Sequence, residues 1–339
     1  MKEVPHRLKS ILIALLQIGL VGITLYTTAR CMVQSFRVPS HSMERTVQPG
    51  DRVVVYKMLA PHGKKHWFSS WKVSLRRNDL AGFYLQGATG LDTLWRAYLK
   101  RCVALPGDMF EIRDTRLYCN GEVQPEPEGL LFRYRLYLRS RQSIAPFMLR
   151  HTDVSLRAHD SLAMVYATVI PAQAAQLAQD TAVTSHVRAF GYGRATPTLF
   201  PHDTAFHWSL NGQYGPLRVP RKGDTIALDP PSLQLYREII ENFENHHIEQ
   251  QDNRILIDGQ PAVSYVFTKN YYFMMGDNRT NSNDSRFYGF VPEDQLIGCV
   301  FGLFRRETVT RGSGGPQEKW VFHRVRRQPS DPSTNHPTK

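Results

Sequence analysis

From Ile11 to Ala29 the chain reads ILIALLQIGLVGITLYTTA, with no charged residue anywhere in the run. That length is close to the roughly 20 residues a helix needs to cross the hydrocarbon of a bilayer. A helix also satisfies its own backbone groups, which lipid does not do for it. The run therefore predicts a transmembrane helix over 11–30 and, with no second run of comparable length, a remainder that folds outside the bilayer. Lys2, Arg7 and Lys9 precede it, so the positive-inside rule places residues 1–10 in the cytoplasm and the rest beyond the cytoplasmic (inner) membrane, in the periplasm. A cleaved signal peptide is the competing reading, since Thr27 and Ala29 stand at A-x-A-like spacing. The apolar run is long for a signal core, however. A lipoprotein reading of Cys31 fails because Arg30 precedes it where a small residue is expected.

Of the 339 residues, 42 % are hydrophobic and 21 % charged, the balance of a folded chain with a core. The net charge of +12 favours anionic surroundings, lipid among them. No RNP-like run, helix-turn-helix signature or finger spacing is present, so nucleic acid is not an expected partner. Cys31, Cys102, Cys119 and Cys299 form no C-x-x-C pair, and the 13 histidines include no H-E-x-x-H. Neither a metal nor a cofactor is expected. A Cys102–Cys119 bridge across a hairpin and two buried thiols both remain open.

The exterior part reads as strands. Asp51–Lys57, Asp108–Asp114 and Asp224–Asp229 are β-rich runs that each follow a glycine, and Arg76–Leu85 has the same turn-then-strand shape. Asn120-Gly121 and Asp258-Gly259 are hairpin turns. Tyr265–Met275 predicts one further strand. Helical periodicity is confined to Pro171–Asp180 and Ser232–His246. The fold class is mainly β: an antiparallel catalytic domain over 31–121 and 261–310, interrupted by an inserted mixed β/α domain over 122–260. A basic, Pro/Ser-rich tail over 311–339 is expected to be mobile. Within it, Lys319–Arg327 mixes aromatics with positive charge, as a surface strand or a lipid-headgroup contact would.

The stretch RVPSHSMERT (Arg37–Thr46) sets two serines around a histidine. A serine hydroxyl needs an adjacent base to attack. On an extended strand Ser40 and Ser42 share a face and His41 looks away, so the base must come from elsewhere. Ser69–Lys72 matches S-x-x-K, but its S-D-N and K-T-G companions are missing. The other candidate is Lys100, in the apolar run of AYLKRCVALPGD (Ala97–Asp108). A lysine on such a strand is either exposed on the surface or desolvated; burial disfavours the charged form and can lower the pKa from about 10.4 to about 8. A third stretch, Met274–Gly298, packs Gly, Asp, Asn, Arg and Ser between apolar strands, as a loop wired by side-chain hydrogen bonds does. In it Asp277, Arg279, Asp284 and Arg286 can neutralise one another.

Together these stretches resemble a type I signal peptidase, a membrane-bound Ser/Lys endopeptidase of peptidase family S26. FRVPSHSM (Phe36–Met43) resembles the nucleophile box, YLKRCVALPGD (Tyr98–Asp108) the lysine box and GDNRTNSNDSRFYGFVP (Gly276–Pro292) the loop box. RRNDLAGF (Arg76–Phe83) is a looser match to the strand box. The long insert, with YGPLRVPRKGDTIALD (Tyr214–Asp229), looks like the Bacteroidota branch of the family. The resemblance implies Ser42 as nucleophile, Lys100 as general base, and the Ser40 hydroxyl with the Ser42 N–H as oxyanion donors. It implies Ser282 orienting Lys100, and Asp277, Arg101, Asp284 and Arg286 as a supporting ion-pair network. Phe36, Val38, Pro39, Met43, Tyr98 and Leu99 would line shallow pockets for small side chains. The implied function is removal of signal peptides from secreted preproteins after A-x-A, at the outer face of the membrane beside the secretion translocon. Arg45 stands where the family usually has proline and Thr280 where an acidic residue is common, which questions local loop shape.

Two other readings compete. A Ser/Lys self-cleaving regulator would carry an N-terminal DNA-binding domain, and this chain carries an apolar run instead. An inactive, membrane-anchored homologue kept as a binding module would lose Ser42 or Lys100, and both are present.

Overall fold

The computed structural model describes residues 6–57, 75–86, 95–189, 198–251, 254–309 and 317–325. The Ser69–Lys72 match lies outside them. The apolar run forms one helix, α1 (His6–Met32), of 27 residues. On it Leu15, Leu16, Ile18, Leu20, Val21 and Ile23 are 58–74 % exposed. Among the described residues no helix is long and apolar enough to cross a membrane; in α1 the side chains described are 14–24, 26, 27 and 32.

Along the chain there follow β1 (Val33–Arg37), β2 (Arg52–Lys57), β3 (Leu80–Gln86), β4 (Trp95–Ala104), β5 (Met109–Arg113), β6 (Arg116–Cys119) and β7 (Glu122–Val123). Next come β8 (Phe132–Leu138), α2 (Ile144–Arg150), β9 (Leu156–Ala158), β10 (Met164–Val169), α3 (Pro171–Leu177) and β11 (Val183–Arg188). Then come β12 (Gln213–Arg218), β13 (Thr225–Ala227), α4 (Pro230–Glu238), β14 (Ile248–Gln251), β15 (Arg254–Ile257), β16 (Gln260–Pro261) and β17 (Ser264–Val266). The last are β18 (Tyr271–Met275), α5 (Ser285–Tyr288), β19 (Val291–Pro292), β20 (Leu296–Val309) and β21 (Gln317–Arg324).

Both expected hairpin turns are present. Asn120 and Gly121 have φ of 56° and 83°, Asp258 and Gly259 of 52° and 77°, the left-handed pair that a two-residue type I′ loop requires. The expected strand over Tyr265–Met275 is broken. The N–H groups of Thr268 and Lys269 donate to the Glu244 carboxylate at 2.9 and 3.2 Å instead of to a ladder, so β17 and β18 join different sheets. The stretch read as a mobile tail contains β21, which pairs along β20 with Phe322 opposite Phe304 and Trp320 opposite Arg306. Cys102 and Cys119 are buried free thiols, not a bridge.

The principal sheet has eight strands in the order β1-β2-β20-β3-β4-β18-β19, with β21 on β20. Val53 and Val55 on β2 pack with Val38, Met43, Leu80, Leu99, Ile297 and Leu303 on one side of it. Phe83, Cys102, Met274 and Tyr288 pack on the other. The segment expected as one insert divides between two cores. Residues 199–267 share an aromatic core with β4, β5 and β18, through Phe200, Trp208, Tyr214, Phe110, Phe273 and Phe290. Residues 130–183 have a core of their own around Phe132, Leu136, Phe147, Val165 and Leu177. That second part runs β8-α2-β9-β10-α3-β11 with strand order β11-β8-β10-β9, the split βαβ arrangement with both helices on one face.

Candidate active site

Pro39 lacks an N–H and ends the β1 ladder. Ser40 is still extended, at φ −125° and ψ 161°, but His41–Met43 then close a 3₁₀ turn. The turn is held by hydrogen bonds from the N–H of Glu44 to the carbonyl of His41 and from that of Val47 to the carbonyl of Met43. It is pinned by the fully buried Met43 side chain. The stretch is therefore not the continuous extended strand the sequence suggested. The Ser40 and Ser42 hydroxyls nevertheless meet at 3.2 Å. His41 leaves the site: it is 62 % exposed and faces Glu44 at 3.6 Å.

Lys100 lies on β4 opposite Ala81 of β3, with Leu99 opposite Gly82. These small neighbours let the lysine side chain lie back over the sheet. Its Nζ is 2.7 Å from Ser42 Oγ, 58 positions away in sequence. It also donates to the Leu99 carbonyl at 3.2 Å and sits 5.8 Å from the Tyr98 ring centre. Lys100 is only 4 % exposed. Burial lowers its pKa to about 8, against the opposing pull of Asp284 and Asp277. A 2.7 Å contact suits either direction of proton sharing: an ammonium donates to the serine oxygen, a neutral amine accepts from its O–H.

Two buried ion pairs lie close to Lys100 and the Ser42 turn. Arg101, next to Lys100, grips Asp277 through two parallel bonds of 2.7 and 2.6 Å. Arg286 grips Asp284 through two of 2.8 Å. Both forks are bidentate, the strong and orientation-specific form of this pair. Burial pushes the Asp284 carboxyl up, but Arg286 and the Gly276 N–H outweigh it and hold it below the usual carboxylate range. Asp277→Asn leaves the Arg101 charge buried without its counter-ion. It is expected to cost about 3–5 kcal/mol of stability, read from chemical denaturation.

Arg279 departs from the expected mutual neutralisation. It is 2 % exposed, its Nε donates to the Gly276 carbonyl at 3.1 Å, and it makes no ion pair among the described residues. One Nη is buried without a partner, and burial lowers its pKa to about 10. A residue the sequence did not single out completes the brace: the Asn211 side-chain carbonyl accepts from Arg286 at 2.7 Å. Asn211 is 4 % exposed and lies in the segment read as an insert; no local pattern around it announced the role.

The loop is pressed against the Ser42 turn. The Asn278 N–H donates to the Ser42 carbonyl at 3.0 Å, and the Asp277 N–H approaches the Met43 sulfur at 3.4 Å. A Cβ added at Gly276 would lie 2.6 Å from the Ser42 carbonyl oxygen and 2.5 Å from Ser282 Cβ. Only glycine fits there. Gly276→Ala is expected to push the loop off the turn, cost roughly 3 kcal/mol as overpacking does, and lower turnover about 100-fold. Thermal unfolding and activity measured on one preparation check both effects.

Ser282 does not hydrogen-bond Lys100 here. Its Oγ is buried and makes no hydrogen bond among the described residues. Among the expected pocket residues, Val38, Met43 and Leu99 are buried in the core, Phe36 and Tyr98 are half-buried and Pro39 is exposed. The Phe36 ring lies over Gly82, 3.1 Å from where a Cβ would stand. Arg45 has φ +76° and donates to Gln173 on α3 at 2.8 Å. Proline, locked near −65°, cannot adopt that conformation, so the departure from the family pattern goes with a different loop shape.

The signal peptidase family, peptidase S26, has a family model that matches residues 8–304. A signal peptidase I of Buchnera aphidicola subsp. Baizongia pistaciae is 25 % identical over 277 residues, 79 % of this chain and 68 % of its own. A signal peptidase I of Aquifex aeolicus is 52 % identical over 43 residues, 13 % of this chain and 17 % of its own. A probable signal peptidase I-1 of Synechocystis is 32 % identical over 131 residues, 32 % of this chain and 64 % of its own.

Proposed function

The chain belongs to the signal peptidase family, peptidase S26, and so is a serine endopeptidase that cleaves signal peptides; from that premise we propose that Ser42 is its nucleophile and Lys100 its general base. The observation that carries this is the 2.7 Å contact of Lys100 Nζ with Ser42 Oγ, made by a lysine whose pKa burial lowers to about 8. Neutral Lys100 takes the Ser42 proton as Oγ attacks the scissile carbonyl. The new oxyanion is met by the Ser40 hydroxyl and the Ser42 N–H. The lysine, now charged, protonates the leaving amine, and once neutral again it activates the water that frees the acyl group.

Phe36, Pro39 and Tyr98 form the surface that a substrate side chain meets, with Val38, Met43 and Leu99 filling the space behind. That packing suits alanine-sized residues and so an A-x-A site. Ser282 orients the lysine once substrate arrives, by turning its unsatisfied hydroxyl toward the amine. The two ion pairs and Asn211 keep the loop in register.

The anchor is α1, on which Leu15, Leu16, Ile18, Leu20, Val21 and Ile23 are exposed. The apolar surface continues onto the sheet, where the Phe304 and Phe322 rings stand 5.1 Å apart and Arg306 lies 5.3 Å over Trp320. Aromatic rings beside arginines suit the headgroup layer. Residues 1–10 lie in the cytoplasm and the catalytic part on the outer face, where the translocon delivers preproteins. The test is incubation of the purified protein with a preprotein in detergent. The mature form appears with the wild type and not with Ser42→Ala; processing by both, or by neither, refutes the assignment.

A further inference from the structure

The βαββαβ unit of residues 130–189 has one face closed and one open. Its closed face packs Phe132, Tyr134, Leu136 and Val165 under α2 and α3. The strand register fixes what the other face carries. Val187 of β11 stands opposite Arg135 of β8, Arg135 opposite Tyr166 of β10, and Tyr166 opposite Arg157 of β9. One row across all four strands therefore reads Val-Arg-Tyr-Arg. The neighbouring rows add Tyr137 and Arg133. No acidic residue occupies any strand position on this face, and the unit as a whole has seven arginines, three aspartates and neither lysine nor glutamate.

We propose that this open sheet face binds an acidic, extended segment of a polypeptide, and that the segment belongs to the mature part of the preprotein being cleaved. The charge is complementary, and the arginine fork matches a carboxylate with two parallel hydrogen bonds. The spacing fits as well. Strands lie about 4.8 Å apart, so the backbones of Arg135 and Arg157 are about 10 Å apart, about three residues of extended chain at about 3.3 Å each. Tyr166 between them offers a ring to the aliphatic part of the same chain. A lipid surface is the poorer fit, because the exposed aromatics that suit one lie on β20 and β21.

The identity of the arriving chain rests on the signal-peptidase reading. The unit is joined to the catalytic loop itself: the Leu131 N–H donates to the Asp277 carbonyl at 2.9 Å and the Arg279 N–H to the Leu131 carbonyl at 3.0 Å. With the Arg45–Gln173 contact, this leaves the open face on a body fixed to the nucleophile turn. A segment held on that body adds to the effective concentration of the scissile bond. It acts on binding and not on the chemical step.

The experiment uses the full chain in detergent and two preproteins identical through the signal peptide and cleavage site. One carries an Asp/Glu-rich segment after the site, the other the same segment with Asn and Gln. The wild type is expected to show a KM about tenfold lower for the acidic substrate at equal kcat. Arg135→Gln/Arg157→Gln is expected to erase that difference and leave the neutral substrate unchanged. An acidic preference that persists in the double variant, or is absent from the wild type, overturns the proposal. Should neither substrate be cleaved, the signal-peptidase reading fails separately, and the two segments are titrated as fluorescent peptides on the same protein. Acidic-peptide binding that the double variant loses upholds the docking face. Equal binding of both peptides, or tighter binding of an oligonucleotide or of phosphatidylglycerol vesicles, overturns it.

Discussion

Lys100→Ala is expected to lower signal-peptide processing by at least about four orders of magnitude, as Ser42→Ala does, because nucleophile and base fail as a unit. Lys100→Arg is expected to fail as completely, since a guanidinium stays protonated and cannot accept the serine proton. Lys100→Met separates chemistry from folding. The lysine pKa falls from an ordinary value of 10.5 to about 8 on folding. Below about pH 8 both folded and unfolded states carry the charge, so the full penalty of burying it is present. It is relieved as pH rises from about 8 toward 10.5, where the unfolded chain binds more protons. Lys100→Met removes the charge and keeps most of the volume. At neutral pH it is expected to be inactive yet more stable, by about 3 kcal/mol at most, with the gain vanishing toward pH 10.5 in urea unfolding series. Equal stability of the two proteins across that range would remove the buried-charge account.

Ser40→Ala is expected to cost about 10²–10³ in kcat with KM nearly unchanged. An oxyanion donor is worth its full energy only once charge has developed on the carbonyl oxygen. Ser40 is exposed and its hydroxyl reaches Ser42 Oγ at 3.2 Å, so it can turn to a new acceptor when the tetrahedral intermediate forms. The main-chain N–H of Ser42 remains in the variant and sustains the residual rate. Ser40→Thr keeps the hydroxyl and is expected to recover most of the loss. A change confined to KM would make Ser40 a substrate contact and leave the oxyanion with one donor.

The proposed pairing of Ser42 with Lys100 was anticipated from runs that resemble a nucleophile box and a lysine box, and the fold brings the two side chains to 2.7 Å. Met43, next to Ser42, buries completely and pins the turn, and Lys100 stands on an apolar strand that buries it. The backbone at Ser42 was not legible. Alternation suggested a strand, but Pro39 stops the ladder and Met43 pulls the chain into a 3₁₀ turn. The hydroxyls meet all the same. Asn211 was invisible because its partner Arg286 is 75 positions away and nothing local marks the contact. The βαββαβ unit hid for a different reason. Arg133, Arg135 and Tyr137 fill the open-face positions of β8, so its alternation reads as charged and aromatic, not as half-buried strand. Of its two helices, α3 showed in the sequence as the periodic run Pro171–Asp180, whereas the seven residues of α2 are too few to show a period. Glu244 broke the expected strand near Thr268 by capping N–H groups that a ladder would use, a contact between segments that no local pattern encodes.

The central claim is that a neutral, buried Lys100 takes the proton of Ser42. The pH dependence of kcat/KM for preprotein cleavage tests it most directly, because its acid limb reports the base of the free enzyme. The expected result is activity that rises through pH 7 and levels above an apparent pKa of about 8, the value burial gives this lysine, with the profile unmoved by His41→Ala. An acid limb near about 6.5, the range of an ordinary histidine, that disappears in His41→Ala would contradict it.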